Sequence, residues 1–433
     1  METRLQVGFA RTDITPDLGC LLLGYPDPDR RAESVRDRLN ANALYLEQNS
    51  VRAVILSLDV CIVDDVEVES IRQRIYDRTG IPSDHITVCA IQTHSGPCTI
   101  DCWGWSEKDK PYIDRLVERS IEAAVIAAQS PIPVTVGIGT TQSDVGVNRR
   151  EVLENHEIAL GVNPWGPYDP EMTLLRFEGK DGTLVSLIHY GAHPTVFSSA
   201  NRAVSRDWPG VMIDRVEHLT GAPVFFVNGA VGDIAPRTNS LRAVGDGEMA
   251  LMEVGARAGM DAMRAYRSIK TFQDLPLSII NGDIMMPYRS LPPLEEAERE
   301  FALTKSEKDE PGKGMCEYKH WEAVIHAHKT EPLPGTTYRQ VITALGPIAF
   351  VPFPGEPFAE IVLRLRQYSP FQYTLCASTS CGSYGYFVTR DSLHRGGYEV
   401  WVAKAFGAYI LAENIDDVLV EENLALLRNL HDL

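Results

Sequence analysis

Residues 85–97 read HITVCAIQTHSGP. The run His85–Ile91 is short, mostly apolar and rich in β-branched residues, which predicts a buried strand. It delivers Gln92-Thr93-His94-Ser95 to a stop at Gly96-Pro97, where proline cannot extend a ladder. Upstream, Asp64–Thr79 has helical spacing and ends on Gly80, a residue suited to a left-handed cap. Before it, Ala43–Gln48 and Arg52–Val63 flank Asn49-Ser50, a hairpin signal. Downstream come a helix over Tyr112–Gln129 and a strand over Val134–Thr140. Strands and helices thus alternate, but hairpins interrupt the alternation. The fold class is α/β, or α+β, with mixed sheets.

The pattern continues through a second hairpin, Met172–Glu178 and Leu184–His193 around Gly179–Gly182. Trp208–Leu219 and Gly247–Arg267 are helical, and Pro223–Asn228 is a short buried strand. Composition shifts after Ser290, and residues 291–335 read as a charged, solvent-exposed helical excursion. Strands are expected at Arg339–Leu345, Ile348–Pro352 and Gln372–Ala377, with helices over Pro357–Tyr368, 400–412 and 415–430. No internal repeat interrupts this order, and residues 1–433 are read as one catalytic domain.

The chain has 433 residues, 44% hydrophobic and 23% charged, enough apolar material for a large core. A net charge of -18 disfavours nucleic acid and anionic membrane surfaces as the main partner. No uncharged apolar run is long enough to span a bilayer, and the start METRLQVGFARTDITP has no secretory h-region. Eight cysteines without C-x-x-C pairs suit buried thiols in a reducing compartment, so a cytoplasmic protein is expected. The expected partner is a small-molecule substrate. A homo-oligomer is compatible with the chain, but the sequence does not determine assembly.

G-x-S-x-G, H-E-x-x-H and Walker A motifs are absent, which removes those hydrolase and nucleotide-binding classes. Polar residues instead gather where apolar strands end, the usual place for sites in α/β sheets. Gln92 and His94 stand at i and i+2, potentially on one face, and His189 and His193 share the parity of another strand. Asp207 begins a helix, where it can cap or orient a histidine. Asn228 and Asp233 flank a glycine-rich turn, Glu356 sits in Pro354-Gly355-Glu356-Pro357, and Tyr386 lies in Tyr384–Thr389. Singly, each has a plain structural role as core residue or cap. Together, imidazole, carboxylate and phenolate make a plausible zinc shell.

The order of these motifs resembles the neutral/alkaline ceramidase family. The matching stretches are Asp13-Ile14-Thr15-Pro16, Gly24-Tyr25, Ile91–Pro97, Asn148-Arg149-Arg150, Ala192-His193, Gly232–Pro236, Pro354–Glu356, Gly385–Thr389 and Gly396–Glu399. The likeness covers the catalytic domain, with no C-terminal β-rich domain. It implies zinc held at the positions of Gln92, His193, Glu356 and Tyr386, with His94 at a catalytic histidine position. Two departures stand out. Gln92 replaces a ligand histidine, and an amide oxygen is a weaker zinc ligand than imidazole. Ala235 replaces a serine of the family, so water rather than a serine is the expected nucleophile.

The resulting expectation is a hydrolase in which metal-activated water attacks an amide, lactam or ester of a small soluble substrate. His193, Glu356 and Tyr386 would hold the ion. His94 would shuttle a proton or replace the missing ligand. Arg149 would act with His94, Tyr386 and Asp207, while Arg150, Ser95, Asn228 and Asp233 would contact the substrate. The alternative is a metal-free homologue that binds a small molecule or performs non-hydrolytic acid/base chemistry.

Overall fold

The computed structural model describes residues 4–105, 107–238 and 247–432. Its first sheet orders the strands Ile86–Ala90, Val51–Leu58, Asn40–Gln48, Gln6–Asp13 and Ile132–Pro133. The helices Asp65–Thr79 and Lys110–Gln129 bury Ile71, Ile75, Leu116 and Ile121 in a core shared with its strands. A second sheet orders Val224–Asn228, Gly182–Tyr190, Glu171–Gly179 and Thr135–Gln142, with the helices Asp207–Thr220 and Gly247–Ser268 packed on it. A third large sheet orders Leu277–Pro287, Gly335–Leu345, Ile348–Pro352 and Tyr373–Ala377.

The inner faces of these three sheets share one apolar core. Leu46 and Ile55 come from the first, Phe177, Leu187 and Phe225 from the second, and Leu345, Phe350 and Leu375 from the third. The strands alternate between this core and the helices on their outer faces, which is why they read as continuous apolar runs. Each sheet also contains one parallel pair: Val51–Leu58 with Ile86–Ala90, Gly182–Tyr190 with Val224–Asn228, and Ile348–Pro352 with Tyr373–Ala377. The carboxyl-terminal residues of those pairs and the segment after Ala377 are stitched to one another. Ser378 N–H donates to Asn228 O at 3.0 Å, Ala90 N–H to Thr379 O at 3.1 Å, and Ser57 Oγ to Phe226 O at 2.6 Å. Three sets of strand ends therefore open on one region.

Most expected elements form, and the differences have local causes. Beyond the short helix Tyr398–Trp401, the expected helix over 400–412 gives only a 3-10 turn, Val402–Phe406. Gly407 takes φ 144° and ends it, and Leu411 pairs with Tyr288 instead. The excursion is helical at Leu294–Thr304 and Lys313–Ala327 but is not a purely solvated face. Ala297, Trp321 and Val324 form a small core, and Glu317 accepts from Lys404 Nζ at 2.6 Å. The strand Leu277–Pro287 had no local signal strong enough to predict it. It pairs along its whole length with Gly335–Leu345, so its stability is tertiary.

Candidate active site

Gln92 and His193 arrive just past strands rather than on them. Ile86–Ala90 ends before Gln92, whose φ of 70° breaks the two-residue alternation. The expectation that Gln92 and His94 share a strand face is thereby corrected; the left-handed residue re-aims the chain. Gly182–Tyr190 likewise ends before His193, so His189 and His193 do not share a strand. His189 turns into the core, with Nε2 2.8 Å from Cys376 O. Glu356 and Tyr386 pair directly, in the short parallel strands Glu356–Pro357 and Tyr386–Phe387. Gly232 permits this packing, since a Cβ there would lie 2.5 Å from Glu356 O.

His193, Glu356, Gln92, Tyr386 and Arg149 converge in the interior, all buried. His193 Nδ1 lies 2.9 Å from Ile234 O. A carbonyl only accepts, so Nδ1 carries a proton and Nε2 is the nitrogen turned toward the centre of the group. It lies 3.0 Å from Glu356 Oε2, a contact that a proton or a cation must bridge. Gln92 Nε2 stands 3.4 Å from the same imidazole nitrogen, and Gln92 Oε1 has no hydrogen-bond partner among the described residues. Arg149 Nη1 is 3.4 Å from both ring nitrogens of His193, Nη2 donates to Tyr386 Oη at 3.2 Å, and Nε donates to Glu399 Oε1 at 2.9 Å.

His94 stands at the rim of this group. Its ring meets His193 edge-on at 5.6 Å between centroids and Tyr25 at 5.2 Å. Arg30 Nη2 holds the His94 carbonyl, and His94 Nδ1 has no hydrogen-bond partner among the described residues. Gly24, at φ 115°, makes room: a Cβ would lie 2.4 Å from His94 Cγ.

Burial dominates the electrostatics. It pulls the His94 imidazole well below its ordinary value, and the His193 ring adds to the effect. It pushes the Tyr386 phenol well up, reinforced by the charge of Glu356. For Glu356, burial pushes upward but is overcome by the hydrogen bond to His193 and the charges around it, so the carboxylate stays ionised below its usual range. Burial pulls Arg149 down, but Tyr386, Glu399 and Glu356 outweigh it and hold the guanidinium charged.

The remaining expected residues all hydrogen-bond within the scaffold. Asp207 orients no histidine side chain: its carboxylate accepts from the N–H groups of Val196, Phe197 and Trp208, bracing the loop after His193. Trp208 Nε1 completes that brace by donating to His193 O at 3.1 Å. Asn228 spends its amide on Ala192 and on Ile91 O, tying two strand ends together. Asp233 accepts from Asn148 and from Ala359 N–H, and burial pushes its carboxyl up to about 7. Ser95 Oγ accepts from Asn201. Arg150 donates to Glu399 Oε2 at 2.6 Å and to Gly396 O at 2.7 Å.

Glu399 is the residue whose role the sequence reading missed. The neighbours Arg149 and Arg150 should point to opposite faces of a strand, yet both reach Glu399. A register shift between Asn148 and Arg150 re-aims them. The available signal was chemical: two adjacent arginines in an apolar strand context require a buried carboxylate, and the quoted Gly396–Glu399 motif supplied one.

These features define a mixed-sheet α/β protein with a buried imidazole, carboxylate, phenol and guanidinium at its strand ends. Residues 5–253, more than half of the chain, match the family model described as neutral/alkaline non-lysosomal ceramidase, N-terminal. Among solved structures, the chain is similar to neutral ceramidase from Pseudomonas aeruginosa, with 16% identity and a TM-score of 0.76 over 99% of this chain and 75% of that one. It is similarly close to a ceramidase complexed with C2, with 15% identity and a TM-score of 0.77 over the same shares. The chain belongs to the neutral/alkaline non-lysosomal ceramidase family. Gln92, His94, Arg149 and His193 lie within the matched stretch, while Glu356, Tyr386 and Glu399 lie in the part covered by likeness of fold.

Proposed function

We propose that the chain is a hydrolase that uses a divalent cation, zinc by the chemistry of its donors, on an amide, lactam or ester bond of a small substrate. The observation that carries this reading is the approach of His193 Nε2 and Glu356 Oε2, 3.0 Å apart in the interior. A ring nitrogen and a carboxylate oxygen so placed call for a cation or a shared proton between them. No three His, Cys, Asp or Glu side chains gather there among the described residues, so the further donors would be the Tyr386 phenol and the Gln92 amide. These residues fit a cation, with Gln92 as the weak member. Such an ion, when bound, polarises a carbonyl and acidifies water.

The protein's own residues do the rest. Arg149 fixes the Tyr386 hydroxyl and brings positive charge beside the position where a carbonyl would develop charge. His94, neutral at the rim, carries a proton between attacking water and leaving group. Its replacement, His94→Ala, is expected to lower turnover of a short N-acyl amide by roughly 10²-fold or more with the fold retained. Activity close to that of the parent would remove His94 from the mechanism. Ala235 offers no hydroxyl, consistent with water as nucleophile.

One observation favours the metal-free alternative. As placed, Gln92 turns its NH₂ rather than its oxygen toward His193 Nε2, and that amide can donate to the ring nitrogen in place of an ion. Amide rotation exchanges the two arrangements. Elemental analysis of protein purified without chelator separates the readings: near-stoichiometric metal is expected, and Gln92→His should tighten binding by about tenfold or more. If neither protein takes up zinc on dialysis, the metal-free reading prevails.

A further inference from the structure

The Tyr386 ring is shared with a second space. A cavity of about 340 Å³ lies beside the polar centre, walled by Tyr288, Tyr384, Tyr386, Trp401, Phe406 and Ile415 among others. Its size and aromatic lining suit the apolar portion of a small molecule. Three charged side chains also line it, and two are already neutralised. Glu399 is held by Arg149 and Arg150 at 2.9 and 2.6 Å. Lys404 donates to Glu317 at 2.6 Å and lies over the Trp321 ring.

Arg289 differs from both. Its Nε donates to Leu411 O at 3.0 Å, and no carboxylate pairs with it among the described residues. Its backbone is pinned as well, with Arg289 N–H donating to Ile410 O at 2.9 Å. The guanidinium is thus oriented in advance, half-buried, in a mostly apolar wall, with both terminal nitrogens available. A planar fork of donors so placed matches a carboxylate, and the apolar surroundings strengthen that pairing. In a chain of net charge -18, an unopposed cation lining a cavity beside the polar centre is a selective feature and not part of a general basic surface.

We propose that this cavity holds the apolar body of the substrate and that Arg289 recognises a carboxylate carried on that body. The substrate class is then a small amide with an aliphatic or aromatic portion and a separate anionic group. This assignment deepens the hydrolase reading above and rests on it.

Binding of 4-phenylbutyrate and of its neutral counterpart, 4-phenylbutyramide, to the intact protein tests the idea through intrinsic fluorescence, since Trp401 lines the cavity. The carboxylate should bind about tenfold or more tightly than the amide at neutral pH. Arg289→Met should erase that preference while leaving amide binding within about twofold, which also reports an intact cavity. Equal affinities in the parent protein, no binding of either probe, or a preference that survives Arg289→Met would each overturn the proposal. The parent comparison decides even if the variant does not fold. Failure of the hydrolase reading is seen separately, as absence of amide turnover in a protein that still prefers the carboxylate probe.

Discussion

Glu356→Gln is expected to lower kcat/KM for a short N-acyl amide by on the order of 10³-fold while barely moving the thermal midpoint. The substitution is nearly isosteric. Its amide can donate to or accept from His193 Nε2, which now lies 3.0 Å from Glu356 Oε2, so the buried contact survives in neutral form. What disappears is the negative charge that Arg149 and the proposed cation both require. A purely structural Glu356 predicts the reverse, a lowered midpoint with turnover kept, because the charge-assisted contacts to His193 and Arg149 would be weakened. Steady-state kinetics and thermal unfolding on the same preparation separate the two. Turnover within a few-fold of the parent would remove Glu356 from the chemistry.

The parts of this architecture that were legible are those where local periodicity and burial agree. His85–Ile91 is mostly apolar because its strand packs against both a helical layer and the inner core, and Asp64–Thr79 announces itself by spacing and by Gly80 in the left-handed region. The positions of Gln92, His193, Glu356 and Tyr386 were also visible, since strand ends are where an α/β sheet leaves polar side chains. Side-chain direction was not visible. The left-handed Gln92 and the register shift at Asn148–Arg150 each reverse a parity argument, and nothing in a two-residue repeat marks them. Asp207, Asn228 and Asp233 had the composition of site residues but serve the backbone, because stitching three sets of strand ends leaves buried N–H and C=O groups that must be satisfied. Glu399 lies 250 residues from Arg149 in the chain, and only the folded topology brings them together.

That long-range closure carries the largest expected stability effect. Glu399 is 1% exposed and bridges two guanidiniums that are themselves buried. Arg150 retains the carbonyls of Ser392 and Gly396, and Arg149 retains Tyr386, but neither would keep a compensating charge on this side. Removing one member of a buried ionic group leaves the others desolvated and unpaired, at a cost of about 3–5 kcal/mol. For a chain of 433 residues, that corresponds to a fall of about 3–6 °C in the thermal midpoint of Glu399→Ala. Arg150→Ala should destabilise as well, and the double variant should lose less than the sum, because the second change removes a charge the first had stranded. Catalysis should respond differently to the two single changes. Only Arg149 touches both His193 and Tyr386, so loss of Glu399 frees that guanidinium and lowers kcat, whereas Arg150→Ala leaves Arg149 anchored by Glu399 and acts chiefly on stability. A Glu399→Ala protein that melts within a degree of the parent, or a double variant whose losses simply add, would mean that the two arginines find water or other partners and that the carboxylate is not what closes the site.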